Sequence, residues 1–410
     1  MSATGQVRPA SARTVDKEAP MPRPNRIPDG ELHVDGRWIG VDERTTFDVE
    51  DPARRSVVGR VPVATDDDVD AALEAADRAW VPWRETSPHR RAEIVMGAAQ
   101  LLRERAEPIA RAMTLENGKP YGDSLDEVAY TADIMDSMAT DGTRTYGRVL
   151  PGSADGRMMV LREPVGPVAA FTTWNYPLTV PGRKLAAALS AGCTVVLKPA
   201  EETPASAVFL AHALEDAGLP AGVVNVLFGD PERISARLIA SPVIRKVSFT
   251  GSTAVGQHLA RQSGALAKPT MLELGGHAPV LVFADTDPEA VAAQALGAKT
   301  HNTGQSCGSP IRFFVQEAVY DRFVARFAEL LDAVEVGDGF DAVDMGPLAN
   351  ARRFEAMAPY VDDALARGAR LAAGGTGTTP SATSGVRRCS RTCPTTRWSC
   401  VRSRSARSPP

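Results

Sequence analysis

The chain has 410 residues, too many for one ordinary core and enough for two or three domains. Its 46 basic and 50 acidic residues nearly cancel and 43% of positions are hydrophobic, the composition of a soluble globular protein, which argues against a nucleic-acid partner or a membrane-surface role. No apolar run approaches the roughly 18 residues of a membrane span, and the N-terminus has no apolar signal segment, so a cytoplasmic location is expected.

Residues 1–27 are rich in Pro, Arg, Ser and Ala and read as a flexible leader, with order beginning near Leu32. From Asp66 to about Ala139, apolar residues recur at helical spacing (Val69, Ala72, Leu73, Ala76, then Ile94, Ala98, Leu101, Leu102). Thr65 and the run Asp66, Asp67, Asp68 give the first helix a cap and a favourably negative first turn. Beyond this helical block, β-branched runs at 168–172, 194–197, 223–227, 246–250 and 280–283 alternate with helix-like segments such as 205–217 and 288–299. That alternation predicts an α/β fold built on a parallel sheet covered on both faces. Residues 311–333 repeat a strand and an amphipathic helix, and 357–375 offers one more helix leading to a strand.

After that the character changes. From Arg387 to the end there are seven arginines, no Asp, Glu or Lys, and no usable periodicity. Three of the five cysteines, Cys389, Cys393 and Cys400, crowd into this tail without zinc-ligand spacing or a following histidine, and neither a metal site nor a disulfide framework is expected. A basic interaction arm and the product of a shifted reading frame are the other readings, and the second is favoured.

Five short stretches carry chemistry. In "THNTGQSCGSP", Cys307 is flanked by Asn302, Gly304, Gln305, Gly308 and Ser309, a tight polar turn in place of the apolar stripe that houses an ordinary buried cysteine. Cys193, opening the apolar run "TVVLK", is that ordinary case. In "MLELGGHAP", Gly275 and Gly276 let the backbone pass close to another group, and an apolar setting would raise Glu273 toward a useful base. Asn175 follows a strand in "TTWNYPLTV", a position where a turn asparagine is the default. Lys198 and Glu201 fall at the carboxyl end of a parallel strand, where α/β sheets bind ligands. In "SFTGSTAVG", Gly251 and Gly256 open a helix whose N-terminus suits a phosphate, a weak signal on its own.

Together these stretches resemble the aldehyde dehydrogenase superfamily from about Leu32 to about Gly375, with "FTGS", "ELGG" and "GQSC" in the family's order, joined by "LENGKP" at 115–120 and "GPL" at 346–348. The resemblance implies a Rossmann-like cofactor domain at 28–141 and 165–272, a bridging and oligomerisation hairpin at 142–164, a catalytic domain at 273–375 and an aberrant tail at 376–410. It implies Cys307 as nucleophile, Glu273 as the base for the deacylating water and Asn175 as oxyanion donor. Lys198 and Glu201 would hold the adenosine ribose, Gly251 and Ser252 would meet the pyrophosphate, and Trp174 would line the cofactor cleft. The acid at 201 would repel a 2′-phosphate, so NAD is preferred over NADP.

Within the superfamily the chain looks most like the succinate-semialdehyde dehydrogenase branch, whose members hold the substrate carboxylate with two arginines. Arg183 stands at the first of those places and His301 at the second, a departure that leaves an aliphatic or aromatic aldehyde as the alternative. Family members continue past 375 with a nicotinamide-ribose element and a strand that joins subunits. Without them a homo-oligomer is in question, the catalytic sheet is expected to show an unpaired edge, and a non-catalytic dinucleotide-binding remnant stands beside the enzyme as a reading.

Overall fold

The computed structural model describes residues 22–152, 155–374, 388–391 and 399–402, so most of the leader and tail lie outside the described residues. It divides into two compact units. Of the described residues, the sheet unit comprises Pro24–Asn117 and Tyr121–Gly275, and the thiol unit comprises Pro22, Arg23, Gly118–Pro120 and those from Gly276 onward.

The sheet unit begins with two hairpins, β1 (Leu32–Val34) with β2 (Arg37–Ile39), and β3 (Thr46–Glu50) with β4 (Val57–Pro62). Four helices follow: α1 (Asp66–Glu85), α2 (Pro88–Glu104), α3 (Ala106–Asn117) and α4 (Tyr121–Gly142). Thr65 caps α1 in a reciprocal capping box with Asp68, which Arg44 also binds. Burial pushes the Asp68 carboxyl up, yet these partners outweigh it and hold the group down at about 2. The hairpin β5 (Arg148–Leu150) with β6 (Met158–Val160) is exposed along both strands.

Then comes the alternation read from the sequence: β7 (Val168–Phe171), α5 (Thr179–Ser190), β8 (Val195–Lys198), α6 (Pro204–Asp216), β9 (Val224–Val226), α7 (Pro231–Ala240), β10 (Lys246–Thr250), α8 (Thr253–Ala265) and β11 (Thr270–Glu273). Strands β7, β8 and β9 are buried at every residue, as expected of a sheet covered on both faces. The sheet order is β11-β10-β7-β8-β9-β1-β2, parallel from β11 to β9 and antiparallel at β1 and β2. From β7 the chain winds one way through β8 and β9, then returns to place β10 and β11 on the other side of β7. The direction of winding therefore reverses between β7 and β10, the place where open α/β sheets part to receive a ligand.

The thiol unit is built from β12 (Val280–Val282), α9 (Pro288–Thr300), β13 (Arg312–Val315), α10 (Glu317–Asp332), α11 (Ala351–Glu355), α12 (Met357–Ala366) and β14 (Arg370–Gly374). Its core packs Phe313, tilted, against the stacked rings of Phe323 and Phe327, with Val282, Val315 and Leu331 around them. Each such side chain contributes about 1.5–3 kcal/mol by leaving water. β16 (Ser399–Arg402) pairs antiparallel with β13, so this sheet runs β12-β13-β16, and β15 (Arg388–Arg391) pairs with β14. An open edge offers backbone donors and acceptors to any extended chain, whatever its side chains, so a tail without strand-like periodicity still pairs.

Candidate active site

Register aligns the carboxyl ends of four parallel strands in the sheet unit. Thr250 of β10 stands opposite Glu273 of β11, Phe249 opposite Phe171 of β7, and Phe171 opposite Lys198 of β8. The loops leaving those ends carry Gly251 and Ser252, Trp174 and Asn175, and Glu201. Seven residues singled out in the sequence thus share one sheet edge, centred on the reversal between β7 and β10.

Each loop has its own fastening. Lys198 is buried; its Nζ donates to the carbonyl of Pro199 at 3.0 Å and pairs with the Glu201 carboxylate, which also accepts the amide of Gly229 at 3.2 Å. Asn117 Nδ2 donates to the Trp174 carbonyl at 2.8 Å, and Thr173 Oγ1 donates to Asn175 Oδ1 at 2.6 Å. Ser252 is exposed and caps α8, accepting from the amide of Val255 at 3.4 Å. The glycines of "TGSTAVG" are explained by packing: a Cβ at Gly251 would lie 2.3 Å from the Phe249 ring, and one at Gly256 would lie 2.3 Å from Leu274. Together these hold the α8 N-terminus close against the sheet edge, a geometry that fits a dinucleotide pyrophosphate.

Glu273 departs from the apolar setting expected of it. It ends the edge strand of the sheet, three of whose four residues are exposed, and its own side chain is among them. A residue the sequence reading passed over lies in its field. Lys184, on α5, donates from Nζ to Ser248 Oγ of β10 at 2.8 Å. Burial draws its ammonium down to about 8, with Glu273 opposing and Arg183 adding to the shift. The available signal was a lysine next to the apolar run Leu185 to Leu189. Arg183, beside it, is exposed.

In the thiol unit, α9 ends at a left-handed turn in which Asn302, Thr303 and Gly304 have φ of 48°, 57° and 70°. For a β-branched threonine that conformation is strained by about 1–3 kcal/mol and persists only where neighbours enforce it. Those neighbours are explicit. Thr303 Oγ1 donates to the Gly346 carbonyl at 3.1 Å, Gln305 Oε1 accepts the amide of Ala349 at 3.0 Å, and Gln305 Nε2 donates to the Asn302 carbonyl at 3.3 Å. Asn302, Thr303, Gln305 and Ser309 are buried, while Cys307 between them is exposed. His301 is exposed at the start of the turn. Cys193 is the opposite case: it is buried, and burial pushes its thiol pKa up. Among the described residues no cluster of metal-ligating side chains occurs, and no helix is long and apolar enough to cross a membrane.

The "GPL" segment leaves no room at its glycine. A Cβ at Gly346 would sit 1.8 Å from the carbonyl oxygen of Gly118, so one of two backbones must move. Gly346→Ala is expected to lower stability by about 3 kcal/mol, read as a drop in denaturation midpoint, and to loosen the turn that Thr303 anchors to this same residue.

The sheet unit thus has a parallel sheet with a reversal point and a seated helix N-terminus, and the thiol unit has an exposed thiol on a strained loop. The sequence profile of the aldehyde dehydrogenase family matches residues 38–387, and the chain belongs to that family. It is 40% identical over 344 residues to the NADP-dependent succinate-semialdehyde dehydrogenase of Escherichia coli K12, covering 83% of this chain and 71% of that one. It is 42% identical over 344 residues to the non-phosphorylating aspartate-semialdehyde dehydrogenase of Halomonas elongata, covering 83% and 70%. The crystal structure of succinate-semialdehyde dehydrogenase from Burkholderia pseudomallei superposes with a TM-score of 0.84 at 38% identity, over 87% of this chain and 74% of that one.

Proposed function

We propose that the chain oxidises an aldehyde bearing a carboxylate to the corresponding acid with NAD, through a thioester on Cys307. The observation that carries this reading is the exposed thiol on a strained loop in which Asn302, Thr303, Gln305 and Ser309 are buried. An aldehyde carbon holds its hydrogen firmly until a nucleophile makes it tetrahedral. The Cys307 thiolate forms the carbon–sulfur bond and the carbonyl oxygen becomes an oxyanion that the Asn175 amide stabilises. Collapse re-forms the carbonyl and expels hydride, for which the nicotinamide supplies the acceptor. Glu273, exposed to solvent, takes a proton from water, which attacks the thioester and releases the acid and the thiolate. Lys198, Glu201, Gly251, Ser252 and Trp174 are the residues proposed to hold the dinucleotide.

Support for a carboxylate-bearing substrate comes from the two semialdehyde dehydrogenases above and from the exposed guanidinium of Arg183, with His301 as a second group able to face an anion. The bridging hairpin is proposed as a contact between copies of the chain: Tyr146 and Val149 are 69% and 70% exposed, and an isolated two-stranded sheet is not stable alone.

The test is the appearance of reduced nicotinamide when the full chain is given succinate semialdehyde, or benzaldehyde for comparison. Faster turnover of the semialdehyde supports the reading, and dinucleotide binding without turnover of any aldehyde overturns it in favour of a non-catalytic remnant. NAD is expected over NADP because the Glu201 carboxylate, fixed by Lys198 and Gly229, would face the 2′-phosphate. Glu201→Gln should narrow the ratio of kcat/KM for NAD over NADP by about 10-fold, and an unchanged ratio would remove Glu201 as the discriminator.

A further inference from the structure

Helices α5 and α6 begin directly after the two loops that carry Asn175 and Glu201, the second of which leaves β8 at Lys198, and neither caps itself. The N-cap of α5 is Leu178, which has no polar side chain, and the N-cap of α6 is Thr203, whose side chain makes no capping bond. The donors left open in each first turn are met from far away in the chain. Glu127 of α4 accepts the amides of Leu178 and Thr179 on one oxygen, both at 3.0 Å. Glu116 of α3 accepts the amide of Ala205 at 2.9 Å on one oxygen, and the amide and hydroxyl of Ser206 at 3.1 and 2.6 Å on the other. Between them Asn117, next to Glu116 in "LENGKP", donates to the Trp174 carbonyl, one residue before Asn175.

All three side chains are buried. Placing carboxylates there is costly: burial pushes Glu116 up to about 7 in spite of its three donors, and the nearby Glu127 adds to the shift. A serine or aspartate at the N-cap itself could satisfy the same amides without reaching across the chain. What the distant carboxylates add is a link between each helix start and the rigid α3–α4 scaffold.

We propose that Glu116, Asn117 and Glu127 are positioning residues: Glu127 and Asn117 fix the loop bearing Asn175, and Glu116 fixes the loop that leaves β8 at Lys198 and bears Glu201. This inference rests on the aldehyde-oxidising reading for the role of Asn175, and on dinucleotide binding alone for the role of Glu116. The two arms predict different losses. Removing Glu127 misplaces the oxyanion donor, whereas removing Glu116 misplaces the cofactor clamp.

The experiment uses the full chain with Glu116→Ala, Glu127→Ala and Glu127→Gln, measuring NAD dissociation constants by fluorescence and the single-turnover rate at saturating NAD. Glu116→Ala should weaken NAD binding about 10-fold with little change in the single-turnover rate, and Glu127→Ala should slow that rate about 10- to 100-fold with little change in NAD binding. Glu127→Gln keeps a carbonyl oxygen able to accept both amides and should recover the native rate. Equal losses in both quantities for both alanine variants, no loss in either, or no recovery with glutamine overturns the proposal, since a purely fold-stabilising role predicts one of those patterns. Where an alanine variant does not fold, Glu116→Asp and Asn117→Asp carry the same comparison, the first shortening the clamp by one methylene and the second setting an oxygen against the Trp174 carbonyl. If the native chain binds NAD but oxidises no aldehyde, the enzymatic reading fails while the Glu116 effect on the dissociation constant still decides the proposal.

Discussion

Cys307→Ala is expected to eliminate aldehyde-dependent reduction of nicotinamide, lowering kcat by on the order of 10⁴-fold or more, while NAD binding stays within about threefold of native. The size follows from the proposed reaction. Without a covalent bond to the carbonyl carbon no tetrahedral intermediate forms, and hydride has no route out. No nearby group takes over. Ser306 and Ser309 flank the thiol, but an alcohol is far less ionised at neutral pH, Ser309 is buried, and Ser306 Oγ accepts the amide of Gly308 at 3.2 Å. Cys193 is buried in the sheet unit with its thiol pKa raised, so it supplies little thiolate, and Cys193→Ala should leave turnover unchanged. Cofactor affinity is spared because the residues proposed to bind the dinucleotide belong to the sheet unit, while Cys307 belongs to the other. Its exposed side chain also contributes little packing, so the melting temperature should hold. The measurement is the rate of NADH formation at saturating aldehyde together with NAD titration. Turnover by the alanine variant within about tenfold of native would sink the assignment of Cys307 as nucleophile.

Much of the sheet unit was legible because its signals are local. Strands β7 to β10 are short β-branched runs between helical repeats, and the Thr65 cap with three aspartates lies within four consecutive residues. The long-range features were not. Nothing in the order of residues says that Glu116 reaches Ser206, 90 positions away, or that Glu127 reaches Leu178, 51 away. Strand β11 was missed, and with it the surroundings of Glu273: "TMLE" is short, lacks alternation, and sits at a sheet edge where exposure replaces the burial that two apolar neighbours suggest. The hairpins of β1 to β4 were missed for a related reason, since their strands are only three to six residues long and β2, β3 and β4 carry charged residues. In the thiol unit, the turn around Asn302 was readable as tight and polar, yet its left-handed backbone is imposed by Gly346 and Ala349, more than 40 residues on.

The amide of Asn175, the proposed oxyanion donor, is the second place where a large effect is expected. Its orientation is set by Thr173, whose hydroxyl donates to Oδ1, so the Nδ2 donor end points the other way. A carbonyl in the ground state carries a partial charge and the tetrahedral intermediate a full one, so a donor fixed in advance gains strength as the reaction proceeds. Asn175→Ala is therefore expected to lower kcat by about 10²- to 10³-fold, with the aldehyde KM changing much less. Asn175→Asp separates electrostatics from shape. The carboxylate has the same size but offers acceptors alone, so it would meet the developing oxyanion with like charge and fall at least as low as alanine. Thr173→Val removes the orienting hydroxyl at nearly constant volume, lets the amide turn, and should cost roughly tenfold in kcat. In steady-state kinetics with one aldehyde, Thr173→Val should therefore turn over faster than Asn175→Ala, and Asn175→Ala at least as fast as Asn175→Asp. If Asn175→Asp kept near-native turnover, the oxyanion would have to be held by some other donor, and the role of the loop between β7 and α5 would reduce to shaping the cofactor cleft.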